Sequence, residues 1–466
     1  MPEGVASLRD PDRLAALRDA LRLDVSPVEP TVIVADADGD GRDDVLVGPG
    51  AMGVPAVVLL DRGVRYRGIP LPSPDAVADI LPGAWARVHA VQDLGGDGRP
   101  ELIVTYELPG ASASTTFLLV ARWTEAEQFD VLFAKSISDW GGPAIWELLP
   151  DGRLRIVCPA FGTFDHKLLP HPTQTLLYAW RPESDSYVLE DVRESPPETM
   201  RQQINVAEAF IQQGRYGPAL DAYRRAVEVQ WPPEEGLDVN LRSWAFMRQA
   251  QILFAWNDPS ARDVFRRAAK EAEGDDVVRR LEEAFDVQDP LAPVRAWLAP
   301  ETLEWLAEGS GWPLMQPYRA FAPQLSLSAL FNRRPELFSL ESSALIAALR
   351  ELNVPVSRAL IANLDNDPAA PEVLVELAIR RSPAETYRFV VVMDQRADAK
   401  GFGGVIVVHG GQARLKGLQE GTPPLLRVRD TTGSERRFAW NGDRLVSVDA
   451  PATLLSWELC QVGTRP

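Results

Sequence analysis

The most distinctive stretch of this chain is a short run of acids and glycines: Asp36-Ala37-Asp38-Gly39-Asp40-Gly41-Arg42-Asp43-Asp44. It lies between Thr31–Val34 and Val45–Val47, two stretches whose β-branched residues are typical of strands. Carboxylates fall at loop positions 1, 3, 5 and 9, a glycine at position 6 and a free carbonyl at position 7. The residues that supply these oxygens are Asp36, Asp38, Asp40, Asp44 and, through its carbonyl, Arg42. Because Ca²⁺ takes six to eight oxygen ligands and needs a tight turn to gather them, the spacing predicts a strand–loop–strand calcium site.

Two alternatives to this site are open. An EF-hand uses the same register, but it needs a glutamate at position 12 and a helix on each side. Position 12 is Val47 here, and the flanks alternate like strands. The second alternative is a solvated turn, since Asp and Gly are common in turns. Four acids in one register are more than a turn requires, so we favour the calcium site.

Three further segments repeat parts of this loop, and each leads into an apolar stretch. The segment 93–101 has Gly95 at position 3, which predicts a weaker site at Asp93, Asp97, Arg99 and Glu101. The segment 363–372 has Pro368 at position 6 and its last acid one residue late, so its predicted site departs furthest from the register of the first loop. The residues of that site are Asn363, Asp365, Asp367 and Glu372. The segment Leu149–Leu154 keeps only the turn, and we expect it to be structural.

The loops recur together with aromatic strand-like stretches, at intervals of tens of residues. These stretches are Thr116–Trp123, Leu176–Trp180, Tyr187–Leu189 and Phe438–Trp440. Such spacing predicts the blades of a β-propeller or a related array. The loop-plus-strand units resemble FG-GAP or VCBS-type repeats, the blades of integrin-alpha-like β-propellers. The resemblance implies calcium in the acidic loops, and an extracellular or cell-envelope protein that binds a protein or carbohydrate partner.

The composition changes between residues 196 and 309, where Ala, Arg, Glu and Leu recur at helical spacing. A pattern of alanine, aromatic residue and alanine on one helical face occurs twice, at Ala219, Tyr223 and Ala226 and at Ala261, Phe265 and Ala268. The pattern resembles the second helix of tetratricopeptide repeats. An ordinary helical bundle packed on the β part is the alternative.

We therefore expect a multidomain α and β protein, with antiparallel β-propeller-like repeats and an inserted α-helical, tetratricopeptide-like domain. The predicted divisions are an amphipathic helix at 1–27, β repeats at 28–195, the helical domain at 196–309, a mixed helical connection at 310–353 and β repeats at 354–466. We expect the two sets of repeats to complete one propeller, with Leu454–Cys460 beside an early blade, because joining them removes exposed strand edges. Two separate β domains are the alternative.

Composition and charge argue against several classes of protein. The 466 residues fit two to four domains, and 45% hydrophobic residues suffice for buried cores. The net charge of −18 argues against nucleic acid and against anionic membrane surfaces. No stretch approaches the roughly 20 apolar residues of a transmembrane helix. Met1–Leu23 lacks the apolar core of a signal peptide, so a cytoplasmic location or a removed signal is expected, whereas the resemblance implies export.

The sequence contains no convincing catalytic arrangement. The four histidines, His89, His166, His171 and His409, do not combine with acids or nucleophiles in a recognisable pattern. Cys158 and Cys460 are either buried thiols or one long-range disulfide. We expect a non-catalytic calcium-binding interaction or scaffold protein. The alternative is a hydrolase on a β-propeller scaffold, with a pair of catalytic carboxylates among the many acids.

Overall fold

The computed structural model describes a large part of the chain, and the statements below concern that part. The described residues are 31–48, 56–63, 65–71, 85–109, 114–138, 145–160, 162, 170–232, 241–272, 276–285, 288–299, 302, 323–365, 371–380, 386–396, 401–410, 413–421, 424–429, 433, 435–440 and 445–448. They belong to two compact units, the first within 31–160 and 170–195 and the second within 196–448 together with residue 162. The predicted N-terminal helix at 1–27 and the predicted strand Leu454–Cys460 lie outside the described residues.

The first unit contains three antiparallel sheets, each a meander of four strands that pair in chain order. Sheet A consists of β1 Thr31–Ala35, β2 Asp44–Gly48, β3 Val57–Asp61 and β4 Tyr66–Pro70. Sheet B consists of β5 Trp85–Gln92, β6 Glu101–Pro109, β7 Ser114–Trp123 and β8 Phe129–Ser138. Sheet C consists of β9 Ile145–Leu148, β10 Leu154–Pro159, β11 Thr173–Arg181 and β12 Ser186–Glu194. The strand-like stretches expected around the acidic loops are thus confirmed as strands.

Sheet B is covered on both faces, because successive side chains of a strand point to opposite sides. On one face Leu102 and Val104 join a buried cluster with Leu46 and Val58 of sheet A. On the other face Ile103 joins a second buried cluster, with sheet C residues that include Ile156 and Tyr178. Consecutive meanders of the first unit therefore pack face to face, in chain order.

The second unit begins with helices. Among the described residues there are eight α-helices: α1 Met200–Gln212, α2 Tyr216–Glu228, α3 Leu241–Ala255, α4 Ala261–Glu271, α5 Asp276–Ala284, α6 Ala292–Leu298, α7 Pro323–Arg333 and α8 Ser342–Glu351. A 3₁₀ helix, Pro335–Ser339, precedes α8. Successive helices pack on one another from α1 to α6. Both alanine–aromatic–alanine faces are buried, with Tyr223 and Phe265 fully enclosed. The expected helical content and its buried faces are therefore present.

The second unit continues with two more four-stranded antiparallel meanders. Sheet D consists of β13 Val356–Ala362, β14 Glu372–Arg380, β15 Thr386–Arg396 and β16 Gly401–Gly410. Sheet E consists of β17 Arg414–Gln419, β18 Leu425–Arg429, β19 Glu435–Trp440 and β20 Leu445–Ser447. The two sheets share a core that includes Leu374, Val390 and Leu426. Chains that mix helices with antiparallel sheets in this way belong to the α and β class.

Candidate metal loops

Loop 1, residues 36–43, connects the first two strands of sheet A. The strands pair from Thr31 and Gly48 up to Ala35 and Asp44, so the loop begins and ends at one edge of the sheet. Gly39 and Gly41 have φ values of +80° and +81°, which residues other than glycine rarely adopt. The two glycines let the chain turn back within a few residues, and this turn brings the alternate acids together.

Three carboxylates converge in loop 1. Each of Asp36, Asp38 and Asp40 offers one oxygen atom, and these three atoms lie within 4.8 Å of one another. Asp36 Oδ1 accepts the backbone N–H of Gly39 at 2.7 Å, and Asp36 Oδ2 accepts that of Gly41 at 2.9 Å. Because hard cations prefer convergent oxygen ligands, these three carboxylates could hold a metal ion.

Asp44 has a different place from the three clustered acids. It is fully buried, with Oδ2 accepting the Ala37 N–H at 3.0 Å and Oδ1 accepting the Asp61 N–H at 2.8 Å. Burial raises the pKa of Asp44 to about 6. The backbone N–H of Arg42 donates to Asp40 Oδ1 at 2.9 Å. The structure thus clusters three of the predicted side-chain ligands, and places the fourth beneath the loop.

An arginine that the sequence analysis did not single out lies on loop 1. Arg62 follows β3, and its Nη1 is 2.6 Å from Asp38 Oδ2 and 3.4 Å from Asp40 Oδ2. The Arg62 side chain is 31% exposed and the Asp38 side chain only 2%, so solvent screens the pair in part. A guanidinium therefore balances part of the charge of the cluster.

Loop 2, residues 93–100, has the same position in sheet B. Asp93 accepts the backbone N–H of Gly98 at 2.8 Å, and Asp97 accepts that of Arg99 at 3.0 Å. Glu101 is fully buried, and its Oε2 accepts the Leu94 N–H at 2.6 Å. Burial raises the pKa of Glu101. The predicted residues of this weaker site therefore stabilise the loop, each through a hydrogen bond that involves a backbone N–H.

Loop 3, residues 363–371, has the same position in sheet D. Glu372 is fully buried, its Oε2 accepts the Leu364 N–H at 2.7 Å, and burial raises its pKa to about 7. The charge of Asp365 contributes to that rise. Among the described residues, neither Glu372 Oε1 nor Asn363 Oδ1 has a hydrogen-bond partner, although both atoms are buried. Asp367 lies outside the described residues. Two buried acceptors without donors suit a cation.

One contact is common to all three loops. The acid that opens the second strand accepts the backbone N–H of the second loop residue, and we call these acids the closing acids: Asp44, Glu101 and Glu372. The contact is present in sheet D although Glu372 stands one residue later than the other two, so the longer loop keeps the same closure. The sequence signal for this role was an acid directly before a β-branched run.

The fourth turn, residues 149–153, lacks a closing acid. Gly152 has φ +80°, and Asp151 pairs with Arg153 at 2.7 Å, so the turn closes without further acids. Cys158 is buried and disulfide-bonded, and Cys460 lies outside the described residues.

Comparison of the chain with protein-family models gives no match, and comparison with curated proteins gives no significant match. Within the described part of the chain, none of the helices combines the length and the apolar content that crossing a membrane requires.

Proposed function

We propose that this chain is a non-catalytic calcium-binding interaction or scaffold protein, and that loop 1 is its main calcium site. The observation that carries the proposal is the convergence of the Asp36, Asp38 and Asp40 oxygens within 4.8 Å on a strand–loop–strand frame. The carbonyl of Arg42 and water would complete the six to eight oxygens that Ca²⁺ takes.

The role we propose for calcium is to stabilise the loops that join the first two strands of each meander. Three carboxylates at such short separations repel one another, and a dication removes that repulsion. The two buried acceptors of loop 3 support a second site there. The two sites would hold loops in different sheets, each next to a buried closing acid.

The architecture that we propose consists of FG-GAP or VCBS-type, propeller-like repeats with tetratricopeptide-like helices between them. Five four-stranded meanders support the first part, because a propeller blade is a four-stranded antiparallel sheet. Packed helices with buried alanine–aromatic–alanine faces support the second part. From the resemblance alone, we propose a protein or carbohydrate partner and an extracellular or cell-envelope location.

The proposal is tested by thermal unfolding with calcium and with a chelator. A ligand that binds only the native state stabilises it by about 3 kcal/mol at a hundredfold excess over its Kd. We expect calcium to raise the Tm of the parent protein, and we expect Asp40→Ala to reduce that rise strongly.

Asp43→Ala is the matched control, because it removes one negative charge from the same loop outside the ligand register. We expect this variant to keep the calcium-induced rise in Tm. A parent Tm that is the same with calcium and with chelator would refute the proposal, as would equal losses in the two variants.

A further inference from the structure

The three closing acids have different neighbours on the third strand of their sheets. In sheet B the residue paired with Glu101 is Arg122. In sheet A, Val45 pairs with Leu59, and the antiparallel register therefore places Leu60 opposite Asp44. In sheet D, Val373 pairs with Met393, and the antiparallel register therefore places Asp394 opposite Glu372. One position of the repeat thus holds a leucine, an arginine or an aspartate.

The arginine in sheet B is buried among acids. The Arg122 side chain is 3% exposed, and its Nε lies 2.5 Å from Glu101 Oε1. Its Nη1 is 2.6 Å from Asp185 Oδ1 and 3.5 Å from Asp97 Oδ2. Its Cζ lies 5.3 Å from the centroid of the Trp180 ring. The guanidinium therefore contacts the acids at loop positions 5 and 9 and also reaches sheet C.

Loop 2 lacks an acid at position 3, next to the Arg122 guanidinium. Gly95 stands where loop 1 has Asp38. A Cβ on Gly95 would lie 3.3 Å from Arg122 Nη2 and 3.0 Å from Trp180 Nε1. A side chain at position 95 would thus compete for space with the Trp180 indole and with the Arg122 guanidinium.

We propose that the Arg122 guanidinium is the fixed cation of loop 2, which holds Asp97, Glu101 and Asp185 together so that this loop needs no metal ion. A buried guanidinium forms charge-assisted hydrogen bonds with several carboxylates at once, as a bound cation does. This inference replaces the weaker calcium site that the sequence predicted at loop 2. The number of bound calcium ions that this inference predicts rests on the proposed function.

The first test counts bound calcium ions by equilibrium dialysis. We expect Asp40→Ala to lose one equivalent relative to the parent protein, and we expect Asp97→Asn to lose none. The triple variant Gly95→Asp with Arg122→Met and Trp180→Phe restores the position-3 acid and removes both the guanidinium and the indole nitrogen that crowd this position, and we expect it to gain one equivalent. Loss of one equivalent in Asp97→Asn would overturn the inference.

The second test does not depend on calcium at loop 1. In excess chelator, we expect Arg122→Met to lower the Tm, and we expect Arg122→Lys, which keeps a positive charge, to lower it less. An Arg122→Met Tm equal to that of the parent would overturn the inference. If the parent binds no calcium at all, the proposed function fails, and these melting temperatures still decide the role of Arg122.

Discussion

At the scale of single residues, the closing acids explain why three loops of different sequence close alike. Asp44, Glu101 and Glu372 are each fully buried, and each uses one oxygen to fix the second residue of its loop. Their surroundings differ in charge. Arg122 pairs with Glu101, whereas the charges of Asp365 and Asp394 add to the burial that raises the pKa of Glu372.

The pKa of Glu372 gives a prediction on pH. It is raised from 4.5 to about 7, so without metal the folded state keeps a proton that the unfolded state releases between these values. The stability contributed by this group is complete below pH 4.5 and is lost as pH rises through about 7. The loss is on the order of 3 kcal/mol, at about 1.4 kcal/mol for each pKa unit.

The substitution Glu372→Gln tests this, since the amide resembles the neutral acid and still accepts the Leu364 N–H. In chelator, urea unfolding should show a smaller loss of stability for Glu372→Gln than for the parent as pH rises. Glu351→Gln, on an exposed position of α8, should behave like the parent. Identical pH profiles for the parent and Glu372→Gln would contradict the role assigned to Glu372.

The sequence predicted the acids of the loops because their spacing is local. It did not predict the arginines on them, because these come from elsewhere in the sheet. Arg62 lies 22 residues from Asp40, and Arg122 lies 21 residues from Glu101. Only the register of the third strand reveals which residue faces a closing acid.

At the scale of helices, the apolar faces of the second unit were predicted from the sequence, but its buried polar network around Glu208 was not. Glu208 of α1 is fully buried and accepts from Tyr223 at 2.6 Å, from Trp244 at 2.8 Å and from Arg248 at 2.9 Å. Glu208 thereby links α1 to α2 and α3. The apolar periodicity showed the faces of these helices, but it carries no information on which buried polar residues pair.

This buried ion pair gives a second prediction. Arg248→Met leaves the Glu208 carboxylate buried without its cation, which costs about 3–5 kcal/mol. Arg279→Met removes an exposed arginine of α5 that pairs with Asp276 and Glu283, and such pairs contribute about 0–1 kcal/mol. Urea unfolding should show a much larger loss for Arg248→Met. Equal losses would mean that the buried pair does not hold the helices together.

At the scale of the whole molecule, the order of the sheets within the first unit follows the order of the chain. Sheet A meets sheet B closely at Gly48, where an added Cβ would lie 2.8 Å from Arg87 Cα and 2.9 Å from Ala86 O. Thr31 Oγ1 accepts the Val88 N–H across the same boundary at 2.9 Å. The sequence predicted the strands of these sheets, but it did not predict that they approach each other closely at Gly48.

Gly48→Ala should therefore displace the Thr31 side chain within sheet A and push sheets A and B apart. Overpacking of this kind costs about 1–3 kcal/mol, and thermal unfolding should show a lower Tm. Gly217→Ala is the control, because a Cβ there meets nothing within 4 Å, and we expect no loss of stability. A Gly48→Ala protein as stable as the parent would contradict the close packing of the two sheets.

The closure of both sets of repeats into one propeller stays a prediction. The five meanders are consistent with one propeller or with two β domains, since each meander is a complete four-stranded unit. The sequence predicted the meanders from local spacing, whereas closure depends on contacts between distant parts of the chain.

Calcium binding at loop 1 can be observed directly in a crystal structure of the full chain grown with calcium, with anomalous diffraction used to locate the ions. We predict an ion at loop 1, about 2.3–2.6 Å from carboxylate oxygens of Asp36, Asp38 and Asp40, with the Arg62 guanidinium displaced from Asp38. Loop 1 without an ion, and with Arg62 still paired to Asp38, would show that loop 1 is not a calcium site.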